Sequence, residues 1–351
     1  MGPMSPHDVD APASLTPVSG PPRAVEALLR AWEPDAGPLV VRTSGSTGTP
    51  KDVLLSHAAM TASATATHER LGGPGQWLLA LPPTGVAGLQ VLFRSVLAGT
   101  SAVVADEHLS LVDAIEAMGG ERRYASLVPT QLYRLVEAGE VGVLAGLDAL
   151  LVGGAAVSPR LVDHVRDAGV HVVRTYGMSE TCGGCVYDGE PLDGVEVDVA
   201  DDGRIRIAGP VLMDGYADAA ATAQVLRDGW FDTRDLGELT HDGRLRVLGR
   251  MDDVVVSGGV NVPLPAVAGV LRDLDGVDEL ELVGVPDEEW GEKVVACLVG
   301  DVKLPAMRDA VEAAGLPRTW APRSVLRLDA VPLLPGGKVD RVRLRELASG
   351  S

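Results

Sequence analysis

The chain has 351 residues, room for two domains of unequal size at about 150 residues each. A composition of 46% hydrophobic and 23% charged residues is that of a globular protein, which excludes wholesale disorder and fibrous repeats. With 30 basic against 49 acidic residues the formal charge is −19, which repels a polyanion and argues against nucleic acid as a partner.

The first 22 residues carry six prolines and no apolar core of signal-peptide length, so they read as a loose arm. Residues 1–37 are expected to form that arm and a first helix. From residue 38 the chain reads as strand (39–41), glycine-rich turn and helix (57–71). Apolar runs at 77–81, 102–105, 125–128, 149–152 and 171–173 alternate with helix-spaced segments at 111–118 and 159–168. That alternation predicts an α/β large domain, residues 38–251, with a largely parallel sheet. The uncharged stretch 75–93 is broken by Pro82, Pro83, Thr84 and Gly85, so no membrane span is expected.

Beyond residue 189 the pieces are short and β-rich, with turns at Asp202-Gly203 and Asp242-Gly243. A helix at 264–274, strands at 280–285 and 294–299 and a helix at 304–314 predict a small α+β C-terminal domain, residues 252–351. Three cysteines, Cys182, Cys185 and Cys297, are an odd number and too few for a disulfide framework, which fits a reducing cytoplasm. Cys182 and Cys185 have C-x-x-C spacing but neither a second pair nor a nearby histidine, so no structural metal is expected.

The segment Thr43-Ser44-Gly45-Ser46-Thr47-Gly48-Thr49-Pro50-Lys51 has the chemistry of a phosphate cradle. Its glycines let backbone N–H groups approach an anion, its hydroxyls add donors and Lys51 adds charge. It is not a Walker A loop, because Pro50 precedes the lysine and Asp52 follows it, leaving no hydroxyl for a metal. Taken alone, such a Ser/Gly run is more often a polar flexible loop.

Four further strings follow in order: Thr175-Tyr176-Gly177-Met178-Ser179-Glu180-Thr181, Gly229-Trp230-Phe231-Asp232-Thr233-Arg234-Asp235-Leu236-Gly237, Gly249-Arg250-Met251-Asp252-Asp253 running on to Ser257-Gly258-Gly259, and Leu334-Pro335-Gly336-Gly337-Lys338-Val339-Asp340-Arg341. Together the five resemble the motifs of the adenylate-forming superfamily of acyl-CoA synthetases, peptide-synthetase adenylation domains and luciferases. The resemblance covers all but the N-terminal arm and implies that superfamily's fold, shortened at the N-terminus, where one subdomain is expected to be absent.

The resemblance implies an ATP site. Thr43, Ser44, Gly45, Ser46, Thr47, Gly48 and Lys51 would hold phosphates. Gly154, Ala155, Thr175, Tyr176, Gly177, Met178 and Ser179 would surround the nucleotide, with Tyr176 against adenine. Glu180 would bind Mg²⁺, Asp235 the ribose hydroxyls and Arg250 the ribose and phosphate. Asp252 would be the hinge of the C-terminal domain. Ser257, Gly258 and Gly259 would face coenzyme A. Lys338 would stabilise charge as a carboxylate attacks the α-phosphate, a task that suits a lysine point charge in a loop without apolar periodicity. The implied reaction needs no enzyme nucleophile, in keeping with a sequence lacking a Gly-x-Ser-x-Gly elbow.

The strings at 127–132, 151–156 and 179–189 are most similar to short o-succinylbenzoate-CoA ligases of menaquinone biosynthesis. That resemblance implies a small-molecule dicarboxylate, ATP and CoA as partners, with Thr84, Gly85, Gly183 and Gly184 lining the acyl pocket. The second carboxylate calls for a cationic contact, for which Arg94, Arg123 and Arg134 are all candidates. The family has a histidine or aromatic near Thr84 or Gly85, and this chain has none. Another aryl- or alkyl-acid CoA ligase, or a non-catalytic adenylate-binding regulator, therefore stays open. The sequence does not decide whether the chain forms a homo-oligomer.

Overall fold

A computed structural model describes residues 15–43, 50–332 and 339–350. The chain divides into two compact units. One holds the described residues up to Gly154 with Ala168–Glu196 and Ala208–Phe231; the other holds Ala155–Asp167, Val197–Ile207 and the described residues from Asp232 onward.

A seven-stranded sheet organises the first unit, in the order Glu190–Pro191, Gly183–Tyr187, Val172–Met178, Ala149–Val152, Arg123–Leu127, Gln76–Leu79 and Val103–Val104. The last five strands are mutually parallel, while Gly183–Tyr187 and Glu190–Pro191 run antiparallel at one edge. This is the largely parallel sheet that the alternating pattern predicts. Ala149–Val152 is buried at every position, as expected of a strand covered on both faces. The helix His57–Arg70 starts where Ser56 accepts a hydrogen bond from the Ala59 N–H at 3.4 Å.

The helix Val86–Leu97 begins at Gly85 and is buried over Gly88–Ser95, so its polar residues Gln90 and Arg94 are carried inside with Leu89, Val91, Leu92 and Phe93. A four-stranded sheet completes the unit, in the order Thr16–Pro17, Leu39–Thr43, Lys51–Leu55 and Gly215–Tyr216. The expectation of a loose arm fails for residues 16–22. Thr16 and Pro17 pair in parallel with Leu39 and Val40, and Pro22 opens the helix Pro22–Ala31, which buries Val25 and Leu29. Proline is tolerated in both places because an edge strand and a first helical turn each leave its missing N–H without consequence.

In the second unit the Asp235–Leu239 part of the strand Trp230–Leu239 pairs antiparallel with Leu245–Arg250 across the Asp242-Gly243 turn, placing Asp235 opposite Arg250. A five-stranded sheet follows, in the order Val260–Pro263, Val254–Ser257, Gly291–Gly300 and Val277–Asp287, with Ser324–Arg327 parallel to Gly291–Gly300. The helices Leu264–Leu271 and Leu304–Ala313 cover one core, through Val267, Leu271, Met307 and Val311. Arg341–Ser349 covers a second, through Leu344 and Ala348. Among the described residues no helix is long and apolar enough to cross a membrane.

Candidate active site

Thr43 ends one strand and Lys51 begins the next, directly opposite it, with Thr43 Oγ1 donating to the Lys51 carbonyl at 3.3 Å. The hairpin thus fixes both flanks of the phosphate-loop motif. Ser44, Gly45, Ser46, Thr47, Gly48 and Lys338 lie outside the described residues.

Thr175, Tyr176, Gly177 and Met178 form the carboxyl end of Val172–Met178, the position at which parallel sheets present ligand-binding groups. Gly177 stands where a Cβ would lie 2.0 Å from the Gly183 carbonyl, so a side chain would force these two site strands apart. Gly154 and Ala155 are exposed just beyond Ala149–Val152.

Glu180 sits in the turn Ser179–Thr181, and its Oε1 accepts a hydrogen bond from the Tyr216 hydroxyl at 2.7 Å. Lys51 Nζ lies 4.5 Å from the centre of the Tyr216 ring. Among the described residues no group of three or more His, Cys, Asp or Glu could cage a metal. One hard carboxylate suits Mg²⁺ held jointly by protein, water and nucleotide phosphates.

Gly183 and Gly184, expected from the sequence to line an acyl pocket, open the strand Gly183–Tyr187. The Gln90 Cγ lies 3.4 Å from where a Cβ on Gly183 would stand, and a Cβ on Gly184 would lie 3.1 Å from the Tyr187 ring and 3.2 Å from the Thr175 Cβ. One helical turn beyond Gln90, Arg94 is 3% exposed, its guanidinium 5.0 Å from the Trp77 ring centre. Burial pushes its pKa down and neighbouring Tyr187 offsets part of that; among the described residues no carboxylate contributes. Gln90 Oε1 and Arg94 Nε are both buried with no hydrogen-bond partner among the described residues.

Burial thus separates Arg94 from the other two arginine candidates. Arg123 opens its strand beside Asp148, at the end away from Leu127, and Arg134 is exposed. Thr84 and Gly85 precede the helix that carries Gln90 and Arg94, and a Cβ on Gly85 would meet only the Pro82 carbonyl, at 3.7 Å. Sequence reasoning missed Gln90, Trp77, Tyr187 and Tyr216, whose local patterns carry no signal beyond an apolar run or a Gly-Tyr pair.

Beneath Arg94, Trp77 Nε1–H donates to His68 Nε2 at 3.4 Å. Burial, reinforced by the Arg94 charge, lowers the His68 pKa from 6.5 to about 4. The unfolded chain takes up this proton below about pH 6.5 whereas the folded chain does not until about pH 4. This contribution to stability is present above pH 6.5 and declines by about 1.4 kcal/mol per unit as pH falls toward 4. Urea unfolding from pH 7 to 4 should give a shallower pH dependence for His68→Gln than for the wild type, and equal slopes would refute it.

In the second unit Arg250 Nη1 lies 3.5 Å from Asp235 Oδ1, and the Asp235 N–H donates to Thr233 Oγ1 at 3.0 Å. The pair forms an acceptor beside a cation, the combination needed at a ribose phosphate. Asp252, in the exposed turn Met251–Asp253, pairs with Arg234. Ser257 is buried, Gly258 packs against Trp290, and Gly259 has nothing within 4 Å of its Cβ position. Cys182, Cys185 and Cys297 are buried free thiols, and burial pushes Cys185 up to about 12.

The hairpin that flanks a glycine- and hydroxyl-rich loop, with a carboxylate just beyond a parallel strand's carboxyl end, suits a nucleotide-handling enzyme, and the chain belongs to the AMP-binding enzyme family, whose model matches residues 12–217. The fold is that of the adenylate-forming enzymes. Among curated relatives, the chain is similar to a probable 2-succinylbenzoate–CoA ligase of Mycobacterium tuberculosis, 45% identical over 318 residues that cover 87% of this chain and 83% of that protein. It is also similar to a 2-succinylbenzoate–CoA ligase of Listeria monocytogenes, 30% identical over 91% of this chain and 72% of that protein. The solved o-succinylbenzoate CoA synthetase of Bacillus subtilis, in complex with the acyl-adenylate intermediate OSB-AMP, matches at a TM-score of 0.74 and 29% identity, over 89% of this chain and 70% of that one.

Proposed function

We propose that the protein is an ATP-dependent acid–CoA ligase acting on 2-succinylbenzoate in menaquinone biosynthesis, in the cytoplasm. The observation that carries the choice of substrate is Arg94, a buried cation with no acidic partner among the described residues, close to the strand that bears Gly183 and Gly184. A buried charge left unpaired is costly, so a site that keeps one is suited to a ligand that supplies its counter-ion. The second carboxylate of an aromatic dicarboxylate does so, and the names of the relatives support the same reading.

In the first step a carboxylate oxygen of the acid attacks the α-phosphorus of ATP, the bond to the bridging oxygen breaks and pyrophosphate leaves. Asp235 would accept from the ribose hydroxyls, Arg250 would contact the phosphate, and Lys338 would stabilise the developing charge. Glu180 would hold a magnesium ion, which when bound neutralises phosphate charge. In the second step the CoA thiolate attacks the acyl carbon and AMP leaves, with Ser257, Gly258 and Gly259 the residues that would face coenzyme A.

Pyrophosphate release and thioester formation across a panel of acids test this. With ATP, Mg²⁺ and CoA, 2-succinylbenzoate should turn over faster than benzoate or medium-chain fatty acids. The space beside Gly85 favours the second reading, another acid of similar bulk, and a panel led by such an acid with no turnover of the dicarboxylate would replace the first.

A further inference from the structure

We propose that Tyr216 is a positioning residue for adenylation: its hydroxyl aims the Glu180 carboxylate while its ring seats the Lys51 ammonium, holding these opposite charges apart until the metal–nucleotide engages both. The inference rests on the adenylation half of the proposed function and not on which acid is activated.

Tyr216 is 6% exposed and lies in the two-residue strand Gly215–Tyr216, where it pairs with Val53, two residues beyond Lys51. Its own N–H donates to Thr222 Oγ1 at 2.8 Å, so its backbone is pinned on both sides. The same segment holds Glu180 twice: the Met213 N–H donates to the Glu180 carbonyl at 2.9 Å, and the Tyr216 hydroxyl to its carboxylate at 2.7 Å.

The separation of charges has a physical consequence. A direct Lys51–Glu180 ion pair would have to be broken when metal and phosphate bind. With the carboxylate on its hydroxyl and the ammonium over its face, the neutral ring keeps one carboxylate oxygen oriented and leaves the ammonium on a weaker cation–π contact that it can surrender. Such outer partners of a metal ligand typically contribute 10- to 100-fold in metal affinity.

Tyr216→Phe keeps the ring and removes the hydroxyl, which makes it the informative variant. Binding of Mn²⁺·ATP, read by the electron spin resonance of free Mn²⁺ without turnover, should weaken about tenfold. The Mg²⁺ concentration for half-maximal pyrophosphate release should rise similarly. The KM for the acid, and thioester formation from a synthetic acyl-adenylate, should not change. In a Glu180→Gln background Tyr216→Phe should cause no further loss, because it acts through that carboxylate. Unchanged Mn²⁺·ATP affinity, additive losses in the double variant, or equal damage to both half-reactions with a lowered Tm would each overturn the proposal.

Discussion

Replacing Lys338 by alanine is expected to slow ATP-dependent adenylation by on the order of 10² to 10³, the usual cost of removing one preorganised electrostatic contact. Thioester formation from a supplied acyl-adenylate plus CoA should stay near normal. The split follows from the proposed rotation of the C-terminal domain about Asp252, which would withdraw Lys338 and bring Ser257, Gly258 and Gly259 to the adenylate. A weak contact at Asp252 would favour such a movement. The Asp252–Arg234 pair is exposed, with side-chain exposures of 44% and 48%, and exposed pairs contribute about 0–1 kcal/mol. Leu236 and Leu248, however, belong to the same core as Leu264 and Val267, so rotation must exchange apolar contacts as well as a salt bridge. Single-turnover kinetics of the two half-reactions decide the matter. Equal loss of both in Lys338→Ala would give the lysine a shared structural role and remove the argument for alternation.

Legibility of the sequence followed the range of the interactions involved. Ala149–Val152 is a run of apolar residues between Asp148 and Gly153, and His57–Arg70 follows a serine cap; both are set by neighbours within a few positions. Thr16–Pro17 has no period of its own and is defined by Leu39 and Val40, more than twenty positions away. The active-site motifs at Glu180, Asp235 and Arg250 could be recognised because each is a contiguous string. Tyr216 could not, since what makes it notable is that strand pairing brings it into contact with both Lys51 and Glu180. Arg94 was one of three candidates in the sequence, because Arg94, Arg123 and Arg134 all lie near pocket-forming segments and nothing local chooses among them. Only the burial of Val86–Leu97 over most of its length turns that polar pair inward.

Arg94→Met should therefore separate a ligand-binding cation from a structural one. If the guanidinium meets the ring carboxylate of 2-succinylbenzoate, removing it leaves a buried carboxylate unpaired, at a cost of about 3–5 kcal/mol. The specificity constant kcat/KM for that acid should fall by on the order of 10² to 10³. An analogue without the ring carboxylate, 4-oxo-4-phenylbutanoate, should be processed by the variant as well as by the wild type or better, because methionine removes a charge it never satisfied. Arg94→Lys should fall between, since lysine keeps the charge but loses the planar fork and its fit on the Trp77 face. The Trp77–His68 hydrogen bond does not involve the guanidinium, so methionine, similar in length and apolar, should leave the fold intact. Competing both acids in one assay compares their kcat/KM values directly, free of differences in active enzyme concentration. If the variant lost the two acids in equal proportion, Arg94 would be supporting the helix Val86–Leu97 and the dicarboxylate would have to be recognised elsewhere.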